Sequence, residues 1–338
     1  MNSVAVVDAK RIGQVESGDS SSARLNSLKV GDIIRARIFR FDPSIDREPR
    51  YDDYEVPYSR KMRVLDVLNY ITEDLEEDIA YRWFCGVKKC GTCAVRMNGR
   101  EVLSCWESAE PVMLIEPLRH APLVRDLVID RGPYENLVSR LMPWLERKES
   151  YAGFPERISH RDMESATHAL DCLSCMSCVS ACPVLDLGDE TNFSGPAPLV
   201  QLGQMALDPR DNMDRGALAI DVAGIFNCVS CYKCEEACPA GIPIVTGIIE
   251  PLKAMAYQSR AAASRHATAF NEIIEERGRL DPSKLVLKTQ GLNAVFHIGR
   301  VLRLLLHGKI YPLRTLFGKP IPQIDKIRKI FERTRGTS

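Results

Sequence analysis

The sequence predicts an α+β chain: a small domain of strands around one helix, a helical domain behind it, and a basic helical tail. Three observations carry this. Alternating and hairpin patterns are confined to the first third of the chain. Helical spacing takes over after Pro143. The 12 cysteines fall into three groups of four with none left over, one group in the strand-rich part and two in the helical part.

Residues 1–29 read as a disordered leader, polar and broken by Gly18, Asp19 and serines at 20–22 and 27, with no continuous apolar stretch of a signal peptide. In the next segment, 30–125, Ile34, Ala36 and Ile38 alternate with Arg35 and Arg37, the pattern of a half-buried strand. Val64, Leu65, Val67, Leu68, Ile71 and Leu75 share one helical face, which predicts a helix over Val64–Leu75. Ala94–Met97 and Arg100–Ser104 flank Asn98-Gly99, a hairpin signal, and Val112–Ile115 is a further short strand. The segment 126–260 is expected to be helical, with pieces in Leu123–Arg147, Ala197–Leu207 and Val245–Arg260, and Lys148–Glu164 reads as a polar connection. The tail, 261–338, is amphipathic. From Gly291 onward it carries ten lysines and arginines against Asp325 and Glu332, a net of about +8.

Basic and acidic residues balance at 45 each, so the overall charge names no partner, and no nucleic-acid ligand is expected. No run of 18 uncharged apolar residues predicts a membrane span. Twelve cysteines without a secretion signal argue for thiolate ligands in a reducing compartment rather than a disulfide scaffold.

Cys85, Cys90, Cys93 and Cys105 are spaced C-x4-C-x2-C-x11-C, the spacing of a plant-type [2Fe–2S] centre. Gly86 and Gly91 allow a loop whose amides can point at the sulfurs. Cys172, Cys175, Cys178 and Cys182 follow C-x2-C-x2-C-x3-C-P, the bacterial ferredoxin spacing, and Cys228, Cys231, Cys234 and Cys238 repeat it 56 residues later. In such pairs the fourth cysteine, followed by proline, serves the other cluster. One [4Fe–4S] cluster is therefore expected on Cys172, Cys175, Cys178 and Cys238, and a second on Cys228, Cys231, Cys234 and Cys182. A zinc site is the alternative, but two matched four-cysteine runs ending in proline are foreign to zinc ribbons. Acid–base machinery is not evident: the six histidines share no motif, and neither G-x-G-x-x-G nor a P-loop occurs. The organic half-reaction is expected on a partner, and no residue of this chain is expected to be catalytic.

Ile38-Phe39-Arg40-Phe41-Asp42-Pro43, the Cys85–Cys105 group, Pro117 and the run Leu123–Asp130 together resemble the iron–sulfur subunit of succinate dehydrogenase and fumarate reductase. So do Gly188-Asp189, Gly195-Pro196-Ala197 and Asp208–Asp211 between the two cysteine runs. The resemblance covers about 30–255. It implies a plant-type ferredoxin (β-grasp) domain followed by a two-cluster helical domain. It implies that electrons pass between a FAD-containing flavoprotein subunit, where succinate and fumarate interconvert, and a quinone-reactive membrane-associated partner. The chain would then sit peripherally on the cytoplasmic side.

Two departures stand out. Common members lack a cysteine at the position of Cys231 and hold a [3Fe–4S] cluster there; with Cys231 present a second [4Fe–4S] is expected, or [3Fe–4S] if Cys231 is not a ligand. Val229 stands where those members have His, and Val184-Leu185-Asp186-Leu187 lacks their Trp. In the tail, Arg277-Gly278-Arg279-Leu280, Lys319-Pro320-Ile321 and Ile327–Phe331 are similar to the small iron–sulfur subunit of heterodisulfide reductases. That similarity implies a cysteine-rich CCG-type partner in place of a haem-bearing anchor. A thiol-dependent fumarate reductase, a heterodisulfide-type reductase or a soluble multi-cluster ferredoxin are the alternatives.

Overall fold

The structure, a computed structural model, describes residues 28–151, 153–156, 158–259, 265–290, 303, 306–308 and 319–335. Residues 1–27 of the expected leader and most of the basic stretch after Gly291 lie outside them. The chain divides into two compact units, Met1–Met255 and Ala256–Ser338.

The first unit begins with a five-stranded sheet of order β2-β1-β5-β3-β4. Strand β1 (Ile33–Arg40) buries Ile34, Ala36 and Ile38 completely or nearly so and turns Arg35 and Arg37 to solvent. β2 (Arg50–Pro57) pairs antiparallel to it, Ala36 opposite Tyr54. Its sequence, RYDDYEVP, hides the strand because it lies at the sheet edge, where charged side chains are tolerated and discourage further pairing. β5 (Val112–Glu116) runs parallel to β1. Parallel neighbours need a long crossover, and α1 (Val64–Glu73) lies within it, burying Val64, Leu65, Val67, Leu68 and Ile71. The Asp66 carboxylate accepts from the Arg63 amide at 2.7 Å and so closes the helix start. The helix ends two residues before Leu75, which is exposed. β3 (Ala94–Met97) and β4 (Arg100–Leu103) form the expected hairpin, with Asn98 and Gly99 both at positive φ.

Leu123–Arg147 is helical only over α2 (Gly132–Arg140); its first residues form a small hairpin, β6 (Leu123–Arg125) and β7 (Val128–Ile129). The reason is Asp126, left-handed at the turn and 2% exposed. Its carboxylate accepts from Arg40 Nε (3.2 Å) and from the amides of Phe41 (3.0 Å) and Ala80 (2.9 Å), which a helical course would forfeit.

Behind this lie α3 (His160–Leu170), α4 (Ser177–Ser180), α5 (Pro196–Ala206), α6 (Arg215–Asp221), α7 (Lys233–Glu236), a π-turn (Ile244–Ile249) and α8 (Glu250–Ser259). Helix α5 is the centre, burying Ala197, Leu199, Val200 and Leu202.

One buried ion pair fastens this part. Arg215 and Asp211, with side chains 2% and 3% exposed, pair at 2.7 Å. Arg215 also donates to the carbonyls of Leu141 (3.1 Å), Met142 (2.7 Å) and Trp144 (2.5 Å). Removing one partner of a buried pair costs about 3–5 kcal/mol because the other charge stays buried. Arg215→Met is therefore expected to lower the melting temperature by roughly 10 °C, at about 2–4 °C per kcal/mol for a unit of this size. An unchanged thermal transition would show that the pair carries no such weight.

The second unit holds α9 (Arg265–Arg277), α10 (Pro282–Gln290) and α11 (Ile324–Arg335). Lys284 and Lys288 on α10 pair with Glu276 and Glu272 on α9, exposed contacts of small individual worth.

Candidate iron–sulfur sites

The first cysteine loop lies between α1 and β3. Three amides, of Val87, Lys89 and Cys90, donate to Cys85 Sγ at 3.4, 3.3 and 3.4 Å. These bonds pull the Cys85 pKa down to about 6, because they stabilise the thiolate. Cys93 and Cys105 are buried beneath the loop, packed with Leu65 and Leu103. Burial pushes the Cys105 pKa up to about 11. A thiolate at that position thus needs a positive centre to offset its desolvation.

The two later runs share one backbone form. Ser174 and Met176 in the first, Ser230 and Tyr232 in the second, all have positive φ, and each run then enters a single helical turn, α4 or α7. The 56-residue sequence repeat is thus a repeat in three dimensions. Each loop is held by a cation: Arg131 donates to the Ser174 carbonyl at 2.9 Å, and Lys253 on α8 to the Cys228 carbonyl at 2.8 Å and Ser230 Oγ at 2.9 Å.

The crosswise grouping is visible in the cavities. One is lined by Cys172, Cys175, Cys178 and Cys238 together with Ala197, Val200 and Ile244. Another is lined by Cys182, Cys228, Cys231 and Cys234 with Val184, Phe193 and Val245. Burial against these walls pushes Cys234 up to about 12 and Cys178 well above the usual thiol value. Among the described residues no three His, Cys, Asp or Glu side chains could hold a single metal ion. Each of the two later sets of four thiols lines one apolar-walled cavity. Four soft donors, apolar walls and sulfur-directed amides fit an iron–sulfur cluster.

The three sites touch in series. A Cβ on Gly91 would stand 2.5 Å from the Leu173 carbonyl oxygen and 2.9 Å from Cys175 Cβ, so the first cysteine loop lies directly on the second. Leu173 and Cys175 also pack against Cys93 and Cys105. Cys178 on α4 is close enough to Cys234 on α7 for their charges to interact. The spacing argument for the ligand sets says nothing of this adjacency.

At the two ends of the series, apolar side chains are bare. Trp83, Phe84, Val87 and Trp106 are 50%, 81%, 59% and 50% exposed beside the first loop. Val229 and Tyr232 are exposed beside Cys231, itself exposed. No described helix is long and apolar enough to cross a membrane.

Comparison with known proteins agrees with this organisation. Residues 35–136 match the 2Fe-2S iron-sulfur cluster binding domain family, and residues 168–242 the 4Fe-4S dicluster domain family. The chain is 34% identical over 247 residues to a subunit of the CoM/CoB fumarate reductase of Methanothermobacter marburgensis, covering 73% of this chain and 49% of that protein. It thus spans about half the length of that relative. It is 30% identical over 233 residues to the fumarate reductase iron-sulfur subunit of Haemophilus influenzae, covering 64% of this chain and 90% of the other. Among solved structures, a chain of the Mycobacterium smegmatis Sdh1 complex in the apo form superposes with a TM-score of 0.62 at 27% identity, over 68% of this chain and 97% of that one.

Proposed function

The chain belongs to the family of fumarate reductase and succinate dehydrogenase iron–sulfur subunits, and from that premise we propose that it carries electrons between a FAD-containing flavoprotein and a quinone-reactive, membrane-associated partner. The observation that carries the reading is the contact in series of three four-thiol sites, Gly91 on Leu173 and α4 on α7. Bound clusters supply one-electron redox chemistry; the chain's own residues hold the sulfurs, exclude water and fix the distances.

The proposed order is a [2Fe–2S] cluster on Cys85, Cys90, Cys93 and Cys105, a [4Fe–4S] cluster on Cys172, Cys175, Cys178 and Cys238, and a terminal cluster on Cys182, Cys228, Cys231 and Cys234. The terminal one is a second [4Fe–4S]. The flavoprotein docks on the rim of Trp83, Phe84, Val87 and Trp106, since bare aromatic groups of this kind mark interaction surfaces. The membrane-associated partner, of the cysteine-rich CCG type, covers the end that bears Val229 and Tyr232. The complex lies on the cytoplasmic side of the membrane.

A second reading, a fumarate reductase that draws electrons from thiols, is favoured by the similarity to the CoM/CoB-type enzyme. Low-temperature EPR on the anaerobic native complex tests both. Signals that appear with succinate and fade with fumarate support the first. Reduction by coenzyme M and coenzyme B, with fumarate reoxidising the clusters and no response to quinols, supports the second. Clusters that respond to dithionite alone would remove this chain from either reaction.

A further inference from the structure

Cys178 and Cys182 belong to one turn, yet they line different cavities. Between them lies Ser180, fully buried. Its hydroxyl donates to Glu101 Oε1 on β4 at 2.9 Å and accepts from the Arg119 amide at 3.0 Å. Arg119 Nη2 donates to the Ser180 carbonyl at 2.9 Å, a carbonyl at the end of α4 with no partner inside the helix. Arg119 Nη1 reaches Asp186 Oδ1 at 3.3 Å, four residues beyond Cys182. One arginine thus grips the chain on both sides of Cys182 and ties it to the strand domain.

The charge at this place is also defined. His120 Nε2 lies 3.3 Å from the same Asp186 oxygen. Burial first, and then the adjacent guanidinium, hold the His120 pKa below the usual imidazole value. The remaining groups facing the turn are Glu101, 3.7 Å from Arg96, and Asp186 itself. Among the described residues, Arg119 is the cation hydrogen-bonded to the turn that feeds both later sites, with Arg96 one step further out through Glu101.

We propose that Arg119 is a positioning residue that sets the geometry of the Cys178–Cys182 turn and raises the reduction potential of the terminal cluster. The inference rests on the assignment of the twelve cysteines as cluster ligands. A reduced cluster carries one more negative charge, which a nearby guanidinium stabilises. Its loss would also leave Asp186 uncompensated, so both effects lower the potential.

The test is an EPR-monitored redox titration of the native complex, with iron and acid-labile sulfide counted in each sample. R119Q is expected to lower the reduced-to-oxidised ratio of the terminal cluster at least tenfold at fixed potential, about 59 mV for one electron. The [2Fe–2S] potential should stay in place. R119K, which keeps the charge and loses the fork, should fall between R119Q and wild type. S180A, which changes no charge but frees the turn from the Arg119 amide, should lower the terminal potential measurably, though by less than R119Q does.

R119Q with full iron and an unchanged terminal potential overturns the proposal. If R119Q loses iron, S180A decides, and an unchanged potential there overturns it equally. Wild-type protein without acid-labile sulfide would instead sink the cluster assignment itself, a different failure.

Discussion

Replacing Cys231 with serine is expected to turn the terminal centre from a four-iron into a three-iron cluster. Iron should fall from about ten to about nine atoms per chain, on the cluster formulas proposed above. An EPR signal of an oxidised [3Fe–4S] centre should appear without any reductant. Cys231 is the exposed member of its set, whereas Cys182 and Cys234 are buried. A corner iron held by an exposed ligand can leave without disturbing the rest of the site. A hydroxyl is a poor substitute for a soft thiolate, so serine should not retain that iron. The terminal potential should rise, because cluster type and net charge set the potential and the three-iron centre is expected to be the higher-potential one. An iron count and spectrum identical to wild type would show that Cys231 holds no iron.

Gly91→Ala is expected to interrupt the series at its first junction. Gly91 has φ +71°, and its added Cβ would meet the Leu173 carbonyl oxygen at 2.5 Å. The left-handed conformation alone costs about 1–2 kcal/mol for a residue with a side chain. The clash is with backbone, which no rotamer change relieves, so one loop must retreat from the other. Electron tunnelling between clusters falls off exponentially with distance, so any retreat of one loop slows the transfer. In rapid-freeze experiments with succinate as donor, the [2Fe–2S] cluster should reduce at the normal rate. The next cluster should lag behind its wild-type rate of reduction. Gly86→Ala is the control, since Gly86 has nearly the same φ (+69°) and open space around the added carbon. Equal lag in both variants would assign the effect to strain within the loop and not to the distance between the two loops.

Much of the strand domain was legible because its signals are local. The alternation of β1, the face of α1 and the Asn98-Gly99 turn each depend on side chains within a few residues of one another. β2 was not legible, since RYDDYEVP has little to bury at a sheet edge. Nor was the hairpin at Asp126, whose carboxylate is satisfied by Phe41 and Ala80, far away in sequence. The same distinction runs through the sites. Cys85 and its loop amides could be expected from Gly86 and Gly91. Arg119, Arg131 and Lys253, which hold the later loops from 23 to 61 residues away, carry no motif.

By itself, the sequence determined the α+β division of the chain, and its cysteine spacing is the ground on which the three thiol sets are proposed. Covalent spacing decides which sulfurs can reach a common centre, and hydrophobic period decides helix or strand. Only the tertiary structure decided that the sets lie in contact and in which order, that a glycine makes the first junction, and which cations stand beside the loops. Those facts depend on backbone surfaces meeting across long loops, where packing and buried charge select one arrangement that no local pattern records.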